Sequence, residues 1–426
     1  MGPLALLLLG CRPGVIDLSV EVSEAVSTVV TVHWQTDDQT RGYVEHGLTD
    51  RYGQRTPLTA EGTVHSALLL GLHADEQYHL RVVLDSGEFS NDAVVTTGSL
   101  PSALPELILE GDPGSWSGYV PVPIIGNTTA AVIIDQDGEI VWYALSDPME
   151  GAEDQGGRRV LLSRDGEGVY ANQIGTEGKS QIHWWSWDGS EQRTLDVLDH
   201  NHDFVERADG SLTAMRYELR DGLTADRITR VDLDGSLTDL WSVHDHLTPD
   251  RIPDSGSWTH ANALDLDEDS DALYLGMLKI NSIVRLKSGG TEIDWILGDE
   301  RYGFSDFTYT EGSTPFERQH QLQLVEDDQL LVFDNHPSDR TRVVEYQLDL
   351  EQRRIEEVWS HTPDPPLEVY ALGDVDRRRD GSTFINWSTA GILELIDEEG
   401  ESMWRLSTSL GYAFGYGTAV DTLQAE

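Results

Sequence analysis

The chain has one cysteine and three lysines, and its 29 basic residues face 76 carboxylates, leaving a formal charge of −47 over 426 residues. Each scarcity excludes something. A lone Cys11 rules out a disulfide framework and any cysteine-based metal site. With only Lys179, Lys279 and Lys287 as lysines, and this sign of charge, there is no basic surface to neutralise phosphates. Nucleic acid is therefore excluded as a partner, and an anionic membrane surface is repelled. Long apolar runs are also missing. Beyond the N-terminus no stretch approaches the roughly 18 apolar residues that a bilayer-spanning helix needs. The acidity itself reads as surface solvation suited to a salty medium, and it carries no information about fold.

What is present can build large cores, because 12 Trp, 14 Tyr and 8 Phe stand in a chain that is 38% hydrophobic. At the start, the apolar run Leu4 to Leu9 ends in Leu8-Leu9-Gly10-Cys11, which resembles the lipobox of a bacterial lipoprotein signal. Residues 1–15 then read as signal and tether, with Cys11 the lipidated residue. That implies an exported protein of the cell envelope or periplasm, held at the outer membrane only through its N-terminal lipid.

Residues 16–97 show short period-2 segments separated by polar and glycine turns: Val29 to Trp34, Arg41 to His46, His65 to Leu72, Tyr78 to Leu84 and Ala93 to Thr97. This pattern predicts a β-sandwich. With Trp34 between the sheets, Leu72 before the corner and Tyr78 at it, the segment resembles a fibronectin type III or immunoglobulin-like domain. Residues 98–105, with Pro101 and Pro105, read as a linker.

From residue 106 to 426 the chain repeats an apolar strand, an Asp/Gly turn and a second strand that often carries tryptophan. The copies run from Val132 to Trp142, around Trp187-Asp188-Gly189, from Val231 to Trp241, from Gly289-Gly290 to Trp295, from Leu348 to Trp359 and from Leu395 to Trp404. Six hairpins about fifty residues apart match one outer hairpin per four-stranded blade. The fold class expected is therefore all-β, an N-terminal β-sandwich followed by a six-bladed β-propeller, with the tryptophans filling gaps between blades.

Between these hairpins three strands begin with histidine: His202-Asp203-Phe204, His260-Ala261-Asn262 and His320-Gln321-Leu322. Inner strands of successive blades converge on one channel mouth, so repeat phase predicts three imidazoles facing one pocket. The segments Asn201-His202-Asp203-Phe204, Trp258-Thr259-His260-Ala261-Asn262, Gln319-His320-Gln321 and Leu331-Val332-Phe333-Asp334-Asn335, with Arg342-Val343-Val344-Glu345-Tyr346 after them, resemble the bacterial arylsulfate sulfotransferases. The likeness spans roughly residues 106–420. It implies transfer of a sulfuryl group from an aryl sulfate donor to a phenolic acceptor, with no nucleotide sulfate donor and no cofactor.

The resemblance makes His320 the nucleophile that carries the sulfuryl group as sulfohistidine. His202 and His260 then flank the sulfuryl and bridging oxygens and exchange protons with pKa values near neutrality. Asn262 offers its amide N–H to a sulfuryl oxygen. One position departs from the family pattern: where the family has an arginine, this chain has Leu278. Lys279 beside it and Arg318 near His320 are the cations expected to replace it. The departure also motivates an alternative, a propeller that binds a ligand or protein at its channel mouth without catalysis. A metal-dependent hydrolase or lyase is a third reading.

Two further patterns read as structural. Asp265-Leu266-Asp267-Glu268-Asp269-Ser270-Asp271 alternates carboxylates but lacks the glycine and distal glutamate of a calcium loop, so an acidic hairpin turn is expected. His200 with His202 has no third metal ligand. No metal is assigned. Oligomeric state is not encoded in any pattern found.

Overall fold

The computed structural model describes residues 6–7 and 14–423, apart from 112–113, 115, 127–128, 147–148, 150–155, 177, 249–256, 326–327 and 337–339. Cys11 lies outside the described residues. The chain is all-β, with one α-helix of four residues, Val243–His246, among the described residues.

Residues 6–96 form two four-stranded sheets. In one, Val30–Thr40 lies between Val15–Val22 and Gly62–Leu69, and Leu6–Leu7 pairs with the outer side of Val15–Val22. In the other, Gly42–Gly47 and Gln77–Leu84 are central, flanked by Gln54–Arg55 and Ala93–Thr96. Alternation decides which residues are buried. Val30, Val32 and Trp34 from the first sheet meet Val44, Leu80, Val82 and Leu84 from the second in one core. The Tyr78 hydroxyl accepts the His73 N–H at 2.9 Å, and Leu72 is buried next to it. Val15–Val22 was not among the strands expected. Ile16, Leu18, Val20 and Val22 alternate along it, but a register shift between Val15 and Asp17 buries Val15 and leaves Ile16 exposed.

From Leu107 onward six sheets follow in chain order, antiparallel except for Thr308–Tyr309, which pairs parallel to Arg354–His361 at the edge of the fifth. The first contains Tyr119–Ile125, Ala130–Asp135 and Ile140–Leu145. The others begin with Val160–Leu162, His200–Glu206, Ala261–Asp267, Leu322–Val325 and Asp374–Arg377, each leading outward through successive hairpins. Both ends of the chain complete a sheet at the other end. Leu107–Gly111 pairs with Ser402–Thr408 of the sixth sheet, and Ala413–Phe414 pairs with Tyr119–Ile125 of the first. Edges that would otherwise expose unpaired backbone are closed by distant chain.

The tryptophans of the outer hairpins do what packing predicts, and they add directional bonds. Trp142 of the first sheet donates Nε1–H to the Trp187 carbonyl in the turn of the second, 2.9 Å away. Trp404 of the sixth donates to the Gln136 carbonyl in the turn of the first, at 2.8 Å. The two N-terminal sheets dock on the same region. Val26 and Val29 join its apolar core, the Thr28 hydroxyl donates to Val141 O at 2.7 Å, and His73 Nε2 lies 2.7 Å from Asp135 Oδ2.

Candidate active site

The first strands of the later sheets are tied together by a buried ion network. Arg159 Nε and Nη2 donate to the two carboxylate oxygens of Asp203 at 2.8 and 2.9 Å, and Nη1 reaches Asp374 at 3.0 Å. Asp203 also accepts from Gln321 Nε2 at 2.7 Å and from the Leu264 N–H at 3.2 Å. Burial pushes the Asp374 carboxyl up to about 7, with Arg159 pulling against it. This network ties the first strands of five sheets to one another and forms a closed, hydrogen-bonded floor.

The three predicted histidines gather on it. The rings of His202 and His260 stand edge-to-face with centroids 4.9 Å apart, and the Tyr217 ring lies 6.4 Å from His260. Their backbones explain the convergence. His202 and His260 have φ of 47° and 51°, left-handed values that turn each side chain out of the strand alternation. Repeat phase does not extend to His320 as expected. The residue with matching backbone in the next sheet is Arg318, φ 55°, at the same interval of 58 positions, and His320 stands two places further on, level with Asn262.

His320 is held by both nitrogens. Asn335 Nδ2 donates to Val369 O at 2.8 Å and Leu372 O at 3.0 Å, so its Oδ1 faces His320 Nδ1, 2.6 Å away. An amide oxygen only accepts, which places the ring proton on Nδ1 and the lone pair on Nε2. That lone pair accepts the Leu372 N–H at 3.0 Å. Leu372 itself is at φ 59°, next to Gly373 at φ 114°. Asn335 is thus the positioning residue for His320.

The histidine pKa values depart from the near-neutral expectation. Burial lowers His320 to about 3, with the Asn335 bond opposing and the charges of His260 and Arg318 adding. Burial lowers His260 to about 4, with Lys279 and Arg318 adding. His202 is held well below 6.5 by burial, then by His260, Arg158 and His320. All three are neutral at pH 7. A neutral His320 suits attack on sulfur, but none of the three stores a proton for a leaving group until an anion arrives.

The expected amide donor is committed elsewhere. Asn262 is fully buried and its Nδ2 donates to Gln319 O at 2.8 Å, bracing the segment before His320. Leu278 is not on a strand: Leu278–Ile280 is a 3-10 turn whose Leu278 and Lys279 N–H groups donate to the His260 and Thr259 carbonyls. Strand alternation therefore does not turn Lys279 away, and both Lys279 and the exposed Arg318 act on His260. Sequence reasoning missed Arg158 and Tyr217, which belong to no histidine motif.

The side chains of the remaining motifs are engaged in hydrogen bonds and ion pairs. Both nitrogens of His200 are engaged, Nδ1 with Met215 O and Nε2 with Asn172, each at 2.9 Å. In the acidic turn, Asp267 Oδ1 accepts the N–H groups of Asp269 and Ser270, while Glu268 and Asp271 pair with Arg164 and Arg207. Among the described residues, the His/Asp group with metal-ligand spacing is His73, Asp135 and Asp137, at the seam with the N-terminal sheets. A cavity of about 490 Å³ opens beside it.

The sequence profile of the arylsulfotransferase (ASST) family matches residues 124–409, more than half of the chain. The chain belongs to the arylsulfotransferase family. The matched span contains His202, His260, His320 and Asn335. No curated protein matches the chain. Among solved structures, the chain is similar to TolB from Acinetobacter baumannii, at 10% identity over 82% of this chain and 80% of that one, TM-score 0.42. It is similar to virginiamycin B lyase from Staphylococcus aureus, at 13% identity over 79% and 93%, TM-score 0.40. It is also similar to the Cps50 (Swd1) β-propeller domain of Myceliophteria thermophila, at 12% identity over 75% and 86%, TM-score 0.40.

Proposed function

We propose that this arylsulfotransferase family member moves a sulfuryl group from a phenolic sulfate ester to a phenol through a sulfohistidine at His320. The observation that carries the reading is the tautomer of His320, whose Nδ1–H is held by Asn335 and whose lone pair is left on Nε2. In the first step the Nε2 lone pair forms the N–S bond as the bridging S–O bond breaks. The electron pair leaves on the phenolate, which takes a proton from water or from a site histidine protonated in the presence of the anion. In the second step the acceptor phenol gives its proton to water or to a neutral site histidine, its oxygen bonds sulfur, and the N–S electron pair returns to Nε2. Splitting one displacement in two lowers each barrier.

For Nε2 to attack, the Leu372 N–H must leave its lone pair. Once sulfur occupies Nε2, that N–H is placed to donate to a sulfuryl oxygen, as preorganised donors do for developing anions. Lys279 and Arg318 lie on the His260 side and bind the donor anion, and His202 and His260 face its oxygens. Asn262 acts through Gln319, as a positioning residue. The scaffold we infer is a six-bladed propeller, a reading supported by six sheets in chain order, five of them tied at their first strands, with Leu107–Gly111 completing the sixth and Ala413–Phe414 the first. The N-terminal sheets are read as a fibronectin III-like sandwich, supported by the Tyr78 hydroxyl bond at the corner. Lipidation at Cys11 and residence in the cell envelope complete the proposal.

The experiment is incubation with p-nitrophenyl sulfate, with and without phenol, following p-nitrophenolate release and a mass increase of one SO3 on the His320 peptide. Release that needs phenol, and labelling that His320→Ala abolishes, are expected. Labelling at the wild-type rate in that variant would sink the nucleophile assignment. Binding of the ester without release would leave the alternative, a propeller that binds sulfate esters without transferring them.

A further inference from the structure

The family arginine is replaced by Leu278, yet a further cation, from a different sheet than Lys279 and Arg318, acts on the histidine cluster. Arg158 is half-buried, and its charge acts on His202. Among the described residues, the guanidinium's hydrogen bond runs from Nη1 to Gly157 O in its own loop at 3.1 Å, and no carboxylate lies within ion-pair range of it. In a chain with 76 carboxylates, where neighbouring Arg159 takes two of them, an unmatched arginine in a half-buried position is a costly arrangement unless an anion completes it.

Its position is fixed rather than incidental. Asn172 Oδ1 accepts the backbone N–H groups of Arg158 and Arg159 at 2.8 and 2.9 Å, and Asn172 Nδ2 donates to His202 O at 2.9 Å. One side chain therefore locks the Arg158 backbone to the His202 backbone. Tyr416, whose N–H donates to Arg158 O, lies with its ring 6.4 Å from that of His320. Gly156 makes room for the guanidinium, since a Cβ there would stand 2.5 Å from Nη1.

We propose that Arg158 joins Lys279 and Arg318 in binding the donor anion and is the one that grips the sulfuryl oxygens, taking the role left vacant at Leu278 from a different sheet. Its planar fork matches two oxygens of a sulfuryl group, as arginine does for phosphoryl oxygens, and it faces the group from the His202 side. The assignment rests on the transferase reading above, and it deepens that reading by naming the anion holder.

The test measures p-nitrophenyl sulfate binding by calorimetry and turnover with phenol, in wild type, Arg158→Gln, Arg158→Lys, Gly156→Ala and Arg318→Gln. A matching thermal melt checks that each variant folds. Arg158→Gln is expected to weaken binding at least tenfold and to lower kcat by about 10²- to 10³-fold. Lysine at 158 recovers part of this, because it restores charge but not the fork. Gly156→Ala keeps the charge and displaces the guanidinium, so it follows Arg158→Gln in direction. If wild type turns over and Arg158→Gln keeps its kcat and KM, the assignment is overturned while the transferase reading stands. If wild type binds the ester without turnover and Arg158→Gln loses binding, the transferase reading fails and the anion site stands. A wild type that does not bind the ester overturns both.

Discussion

Arg158 and Arg159 are neighbours, as are His202 and Asp203, yet the two members of each pair meet opposite environments. Arg159 and Asp203 enter a network in which every charge has a partner at 2.8 to 3.0 Å, and both are buried. Arg158 and His202 meet one another across the cluster with no carboxylate, and His202 Nδ1 is buried without a hydrogen bond. One layer of the same strand starts is matched for stability and the layer beside it is left unmatched. Buried polar groups cost free energy unless they are satisfied, so the unmatched layer reads as waiting for a ligand.

The two layers differ most at Asp203. Asp203→Ala removes two bonds from Arg159 and strands Gln321 and the Leu264 N–H, leaving a buried cation with only Asp374. A loss of about 3 to 5 kcal/mol in urea unfolding is expected, the cost of a broken buried pair. Arg158→Gln, in the neighbouring layer, is expected to change stability by less than about 0.5 kcal/mol. Equal losses in the two variants would show that both layers are structural.

A smaller effect is expected in the pH profile of turnover. An unperturbed histidine nucleophile, pKa about 6.5, would lose roughly tenfold in kcat/KM on going from about pH 7.5 to about pH 5.5, because the protonated ring cannot attack. Burial has lowered His320 to about 3, so its lone pair is not protonated anywhere in that range. The expected kcat/KM is flat across it, measured with p-nitrophenyl sulfate. A tenfold acid loss would mean that His320 is not desolvated as its surroundings dictate, or that another group must be deprotonated.

Much of this layout was legible in the chain because repetition amplifies weak signals. The six Asp/Gly hairpins with tryptophan located the outer strands, and repeat phase located His202 and His260, with Arg318 rather than His320 in the third matching place. The misreadings have physical reasons. Left-handed backbone at His202, His260 and Arg318 is not visible in residue type, so the shift of His320 by two positions was hidden. Leu278 looked like strand because Ala272–Met277 before it is uniformly apolar, but the chain turns there. Arg158 follows two glycines in a segment without periodicity, and only the Asn172 clamp joins it to His202.

The smallest effect expected lies at a third charged contact, the partly exposed pair of His73 and Asp135 at the seam between the N-terminal sheets and the first large sheet. The Asp135 bond raises the His73 pKa, with burial opposing it. A raised folded-state pKa means that the folded protein holds its proton more tightly, so this stabilisation is complete below the unfolded value of about 6.5 and is lost as pH rises through the folded one. His73→Ala should therefore cost about 1 kcal/mol at about pH 5.5 and close to nothing at about pH 9, in urea melts of the whole chain. A cost that grew with pH would reverse the sign and mean that neutral His73 is the form that docks. This contact borrows part of its strength from a proton, and so the seam loosens as pH rises.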